Sequence, residues 1–157
     1  MTHSLRGLSL EQRLFCSLPG DWTLTRAIPD IATMTGTARF HQLEPALLHC
    51  REDGRLTLSS GQSHSAYREY HYRLADGLIQ VCFAEPGVPR ILHTLRLAQA
   101  GDQLHSCAAT DIHHCGNDTY TGRYEFPTDD RFTVEMRVVG PRKDYSIHTT
   151  YDRILTS

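Results

Sequence analysis

Hydrophobic and polar positions follow two different rhythms along this chain. Leu10, Leu14, Phe15 and Leu18 make an apolar stripe at helical spacing, with Ser9 placed to cap it and Gln12 to complete a capping box. Pro19-Gly20 stops that pattern, which predicts a helix over about residues 9–18. From there on the period falls to two. Short β-prone runs follow one another: DWTLTRAI, MTGTARFHQ, ALLHCRE, RLTLSS, HSAYREYHYRLA, LIQVCFAE, RILHTLRLAQ, QLHSCAATDIHH, TYTGRYEF, RFTVEMRVV and DYSIHTTYDRIL. Turn-forming pairs separate them, among them Asp53-Gly54, Asp76-Gly77, Gly101-Asp102, Gly116-Asn117, Asp129-Asp130 and Gly140-Pro141.

About ten strands in sequence, joined by hairpin-length connections and with no second helix, predict an all-β, up-and-down antiparallel barrel. Closure removes the exposed edges that so many sequential strands would otherwise leave. A barrel of this size has room inside for one small ligand. No linker or repeat interrupts the pattern, so residues 1–157 read as one domain.

Charge and composition narrow the partners. A formal net charge of −2 gives no bulk attraction to nucleic acid or to an anionic membrane. MTHSLRGLSL lacks the apolar core of a secretion signal, and no stretch approaches the length of a membrane-spanning helix. Five cysteines without framework spacing point to reduced thiols and a cytoplasmic location. The ten histidines are the one oddity of composition.

The run HSCAATDIHHC concentrates candidate chemistry. On a strand, His105, Cys107, Asp111, His113 and Cys115 would share one face. A single metal ion cannot use that row, because it spans about 33 Å and neighbours two apart stand roughly 6.5–7 Å from each other. His113 and Cys115 could share an ion only if a bulge near Gly116 brought them together, so no metal site is assigned. His113 beside Cys115, with Asp111 to orient the imidazole, has the residue types of an activated thiol. The plainer alternative is a mixed strand face with satisfied histidines and inert cysteines.

Tyrosine and arginine are placed more suggestively. In YREYHYRLA neither face is apolar, so whichever points inward carries polar groups into the barrel. Arg26, Arg68, Tyr70, Tyr120, Tyr124, Lys143 and Tyr151 would border an aromatic cavity with convergent donors, suited to an anionic group on an apolar body. The alternative puts them on the solvent face, or pairs the cations with Glu69, Asp118 and Asp152. By contrast, RFTVEMRVV alternates cleanly, with Phe132, Val134, Met136 and Val138 on one side, and needs no function.

Gly20-x-Trp22 after a short helix resembles the start of the first strand of lipocalins and the wider calycin superfamily. There an arginine of the last strand packs across the tryptophan; Arg153 in TTYDRIL stands at that place, which makes Trp22 and Arg153 the expected barrel-closing pair. A broader resemblance covers most of the chain through GDWTLTR, REYHYRLADGLIQVCF, HHCGNDTYTGRYEF and VVGPRKDYSIHTTYDR. This set is similar to an uncharacterised family of small calycin-like domains, members of which also occur beside flavin-monooxygenase domains. The resemblance implies a barrel with a ligand cavity and no established activity.

Three functions are open at this point. The first is binding of a small, partly apolar, anionic ligand. The second is acid–base catalysis by His113, Cys115, Asp118 and Tyr120. The third is a haem-binding barrel, through His93 or His148, or else a solid interaction module. No cofactor follows from the sequence.

Overall fold

The computed structural model describes residues 7–155, so the ends of the domain assigned to 1–157 lie outside the described residues. Helix α1 (Leu10–Ser17) begins with a complete capping box: the Ser9 side chain accepts from the Gln12 amide, and the Gln12 side chain accepts from the Ser9 amide. Eleven strands follow: β1 (Gly20–Ile28), β2 (Ala32–Glu44), β3 (Leu47–Leu58), β4 (Ser63–Ala75), β5 (Leu78–Phe83), β6 (Ile91–Leu95), β7 (Ala98–Gln99), β8 (Cys107–Cys115), β9 (Asp118–Thr128), β10 (Arg131–Gly140) and β11 (Lys143–Arg153). No helix of the described residues is long and apolar enough to cross a membrane.

All strand pairs are antiparallel in one sheet, ordered β6-β5-β4-β3-β2-β1-β11-β10-β9-β8-β7. The two ends of that order are consecutive in the chain. Residues 91–99 therefore carry the sheet from one edge to the other and roll it into a barrel. The RILHTLRLAQ run is not one strand: its first half pairs with β5 and its second with β8. The expected turn at Asp53-Gly54 is also absent, because β3 runs straight through it. Gly54 instead faces Gly36 across the ladder, and a Cβ on either would run into the opposite backbone. The pair allows β2 and β3 to approach closely at this point. Pro127, which cannot donate to a ladder, sits where the β9–β10 register shifts.

Strand alternation divides the barrel into a packed end and an open end. At the packed end Trp22, Phe40, Tyr72, Phe126, Phe132 and Tyr151 form one cluster, joined by Leu14, Phe15 and Leu18 of the helix region. Phe132 lies 5.0 Å from Trp22 edge-on and stacks on Tyr151 at 4.2 Å. The Arg153 guanidinium lies 4.3 Å over the Trp22 ring and donates to the carbonyls of Ser17, Pro19 and Asp129. The Trp22 indole N–H donates to Leu18 O at 3.0 Å. Together these bonds tie helix, first strand and last strand into a plug.

Candidate functional site

Inward-facing residues of the open half do not fill it. A cavity of about 590 Å³ opens between Arg68, Tyr70, Phe83, Leu92, His113, Cys115, Tyr120, Met136, Val138, Tyr145 and Ile147, among others. That volume lies within the range of small-molecule sites. Arg68, Tyr70, Leu92, Met136 and Ile147 also line a narrow inner space of about 50 Å³, which reaches down to Arg26, Tyr72, Tyr124, Thr149 and Tyr151. Arg68 and Tyr70 thus stand at the neck between the two. The barrel is not a solid scaffold.

A neutralised floor closes the inner space. Arg26 Nη2 donates to Glu52 Oε1 at 2.8 Å, Tyr151 O–H donates to Glu52 Oε2, and Arg26 Nε donates to Thr149 Oγ1 at 2.9 Å. Glu52 is 1% exposed. Burial opposes the Arg26 charge, but Tyr151 and Glu52 outweigh it and hold the guanidinium above its usual range. Of the predicted binding residues, Arg26 and Tyr151 are therefore already spoken for by a carboxylate inside the chain. Glu52 was not singled out from the sequence. The signal available was its even-numbered place with Leu48 and Cys50 in a strand of inward alternation.

Arg68 is different. Its Nη1 donates to the Tyr70 hydroxyl at 3.0 Å, and among the described residues no carboxylate lies within ion-pair distance of it. Glu52 stands directly across the β3–β4 ladder, but its oxygens turn toward Arg26 and Tyr151. The Tyr70 oxygen beside it holds the Arg68 guanidinium above its ordinary range, and burial pushes the Tyr70 phenol up. Arg90, also at the cavity, is paired with Glu85 at 2.7 Å and stacked on Phe83.

The histidine–cysteine row resolves into four separate jobs. His105 is not in the strand. It closes the 101–105 turn with φ 74°, and β8 begins only at Cys107. Cys107 is buried in the packed end, where burial, with Glu11 and Asp129, pushes its thiol up to about 11, so it is inert near neutrality. Asp111 does not orient His113: its Oδ2 accepts the Thr94 amide at 2.7 Å. Cys115 is exposed, and with His113 it lines the cavity mouth. The ladder stays regular as far as Cys115 opposite Asp118, and Gly116 (φ 60°) serves the turn rather than a bulge. Among the described residues no three His, Cys, Asp or Glu side chains are grouped to hold a metal ion.

Asp111 belongs to a seam. Where β6 meets β8 and β9, side chains substitute for a ladder. His93, fully buried, bonds the Tyr120 main-chain carbonyl through Nε2 at 3.0 Å and the Tyr124 hydroxyl through Nδ1 at 2.8 Å. A carbonyl only accepts, so Nε2 carries the hydrogen and Nδ1 accepts from Tyr124. Burial lowers the His93 pKa below 6.5 and favours this neutral form. Gly122 makes the arrangement possible, since a Cβ there would collide with the His93 ring. Below the seam, Glu11 of the helix accepts the Leu97 amide at 2.8 Å. Haem ligation by the two histidines considered for it is excluded by these positions: both His93 nitrogens are engaged, and exposed His148 lies on the outward-alternating positions of β11.

At the rim, Lys143 donates to Tyr120 Oη at 2.8 Å and lies 3.2 Å from Asp118 Oδ2. Those two bonds raise the Lys143 pKa. Tyr120 faces His113 across the β8–β9 ladder, with ring centroids 6.1 Å apart. Tyr120 lines the cavity, whereas Lys143 stands beside it in the shallow depression between the β8–β9 and β10–β11 turns.

A family model for DUF6314, a family of unknown function, matches residues 18–153. The chain belongs to that family. No curated protein matches it. Among solved structures, the S-type phycobiliprotein lyase CPES from Guillardia theta is similar over 97% of this chain and 99% of its own, with a TM-score of 0.62 and 10% identity. Designed β-barrels also match: one bound to DFHBI, EF1p2_mFAP2b, is 14% identical with a TM-score of 0.49 over 92% of this chain and 99% of its own. At 10% identity the likeness to the lyase is one of fold alone. DUF6314 is thus represented here by an antiparallel barrel that is plugged at one end and hollow at the other.

Proposed function

We propose that this DUF6314 barrel binds a small, partly apolar, anionic molecule in its interior. The observation that carries the reading is Arg68: a cation without a carboxylate partner among the described residues, bonded to Tyr70 at the neck of an apolar-walled cavity of about 590 Å³. A charge so placed attracts an anion, and Met136, Val138, Ile147, Leu92 and Phe83 receive an apolar or aromatic body. Tyr120 borders the same space, while Tyr124, held by His93, shapes its inner end. Native mass spectrometry of protein purified from its own host tests this. The expected result is a non-covalently bound organic acid; protein that emerges empty and takes up no amphipathic anion contradicts it.

A second reading rests on the rim. Lys143 already donates to Tyr120 Oη, so the phenol hydrogen is free for another acceptor, and His113 stands beside it on the same cavity wall. In that reading His113, Cys115, Asp118 and Tyr120 carry out acid–base chemistry on the bound molecule. Recovery of the native ligand chemically unchanged after prolonged incubation with the protein counts against it.

A further inference from the structure

Arg26 and Tyr151 donate to one carboxylate, Thr149 holds the arginine in place, and the carboxylate they grip is the chain's own. Each oxygen of Glu52 takes a different donor: Oε1 that of Arg26 at 2.8 Å, Oε2 that of Tyr151. Thr149 fixes the guanidinium from its other edge through Nε at 2.9 Å, and Arg26 Nη1 has only the Met34 sulfur, at 3.8 Å. A guanidinium and a phenol gripping the two oxygens of a carboxylate form the arrangement by which proteins bind carboxylate ligands. This one lies at the bottom of the cavity, directly below the neck. A buried ion pair is an unfavourable way to gain stability compared with apolar packing, so its presence on the axis of an open cavity calls for another account.

We propose that Arg26, Tyr151 and Thr149 are a carboxylate-binding site filled from within by Glu52, and that Glu52 sets the charge the cavity accepts. The floor is neutral as long as Glu52 occupies it. Among the described residues that line the cavity, Arg68, opposite Glu52 on the ladder and bonded to Tyr70, is the cation left to meet a ligand anion. The ligand class is then a mono-anionic amphiphile whose acidic group stops at the neck while its apolar body occupies the outer cavity. A second anionic group driven to the floor would meet Glu52 rather than a cation. This statement of ligand class rests on the cavity reading above; the statement about Glu52 does not.

Chemical rescue separates the two. In Glu52→Ala the site is emptied, and its occupant can be supplied from solution as sodium propionate. Thermal unfolding of this variant is followed with rising propionate, with propionamide and sodium chloride as controls. Site occupancy stabilises the folded state by mass action, so 100 mM propionate should raise the Tm by about 3 °C or more over both controls. A propionate effect no larger than that of propionamide overturns the proposal. If Glu52→Ala does not fold at any propionate concentration, Glu52→Gln in an Arg68→Met background decides. The freed Arg26 should then restore at least about tenfold of the affinity for 1-anilinonaphthalene-8-sulfonate that Arg68→Met alone removes; no restoration overturns it. Rescue by propionate in a protein whose wild type takes up neither this sulfonate nor uncharged N-phenyl-1-naphthylamine would keep the Glu52 site and remove the cavity reading.

Discussion

The two ends of this barrel are built from the same strands and the same alternation, yet they do opposite things with their inward faces. On β10, Phe132 and Met136 point the same way, four residues apart. Phe132 is wedged between Trp22, Phe126 and Tyr151, whereas Met136 borders open space in both the outer cavity and the inner one. On β11, Tyr151 is buried against Phe132 and Ile147 lines the cavity. The difference lies in what arrives opposite them. The packed end receives a helix and a stacked arginine, while among the described residues the open end receives strand-to-strand turns and the 84–90 connection. Stability is concentrated at one end, and the other is left free to hold something.

That division can be broken most sharply by matched truncations on one strand. Phe132→Ala should cost about 3–5 kcal/mol in urea unfolding, as large buried aromatics do. Met136→Ala should cost below about 1.5 kcal/mol, because its side chain already faces space. Equal losses would mean that the open end is packed after all.

A smaller effect distinguishes the seam. Folded His93 resists protonation, while in the unfolded chain it takes a proton near its ordinary value of 6.5. The unfolded state then binds more protons as pH falls below about 6.5, so stability drops with acidity until the folded His93 also protonates. Each unit of depression contributes about 1.4 kcal/mol. His71, also held below its usual range by burial and by His49, adds to the slope. Urea midpoints measured between pH 7.5 and 5 should therefore fall, and His93→Asn should be less stable throughout but flatter with pH. An unchanged slope in that variant would remove His93 from the seam.

The sequence made the packed end and the general architecture legible. Ser9 and Gln12 were readable as a cap, Trp22 and Arg153 as partners by resemblance, and Phe132 by alternation. Close contacts between distant strands were not readable. Asp53-Gly54 has turn chemistry, but its glycine is spent on the approach of β3 to β2. Asp111 and His93 look like catalytic types, but they replace backbone bonds where the rolled sheet meets itself. Glu52 looked unremarkable because its partners, Arg26 and Tyr151, are 26 and 99 residues away. In the candidate site the residue types were legible, but not which cations were already neutralised. That follows from the register of four strands and is invisible in any one of them.

Among the described residues, Arg68 is the cavity's unneutralised cation. Equilibrium titration of wild type and Arg68→Met with 1-anilinonaphthalene-8-sulfonate, alongside the uncharged N-phenyl-1-naphthylamine, tests it most directly. Loss of a charge-assisted bond should weaken sulfonate binding about 10- to 100-fold while the neutral probe changes by less than about twofold. Equal affinity of both proteins for the sulfonate would contradict it.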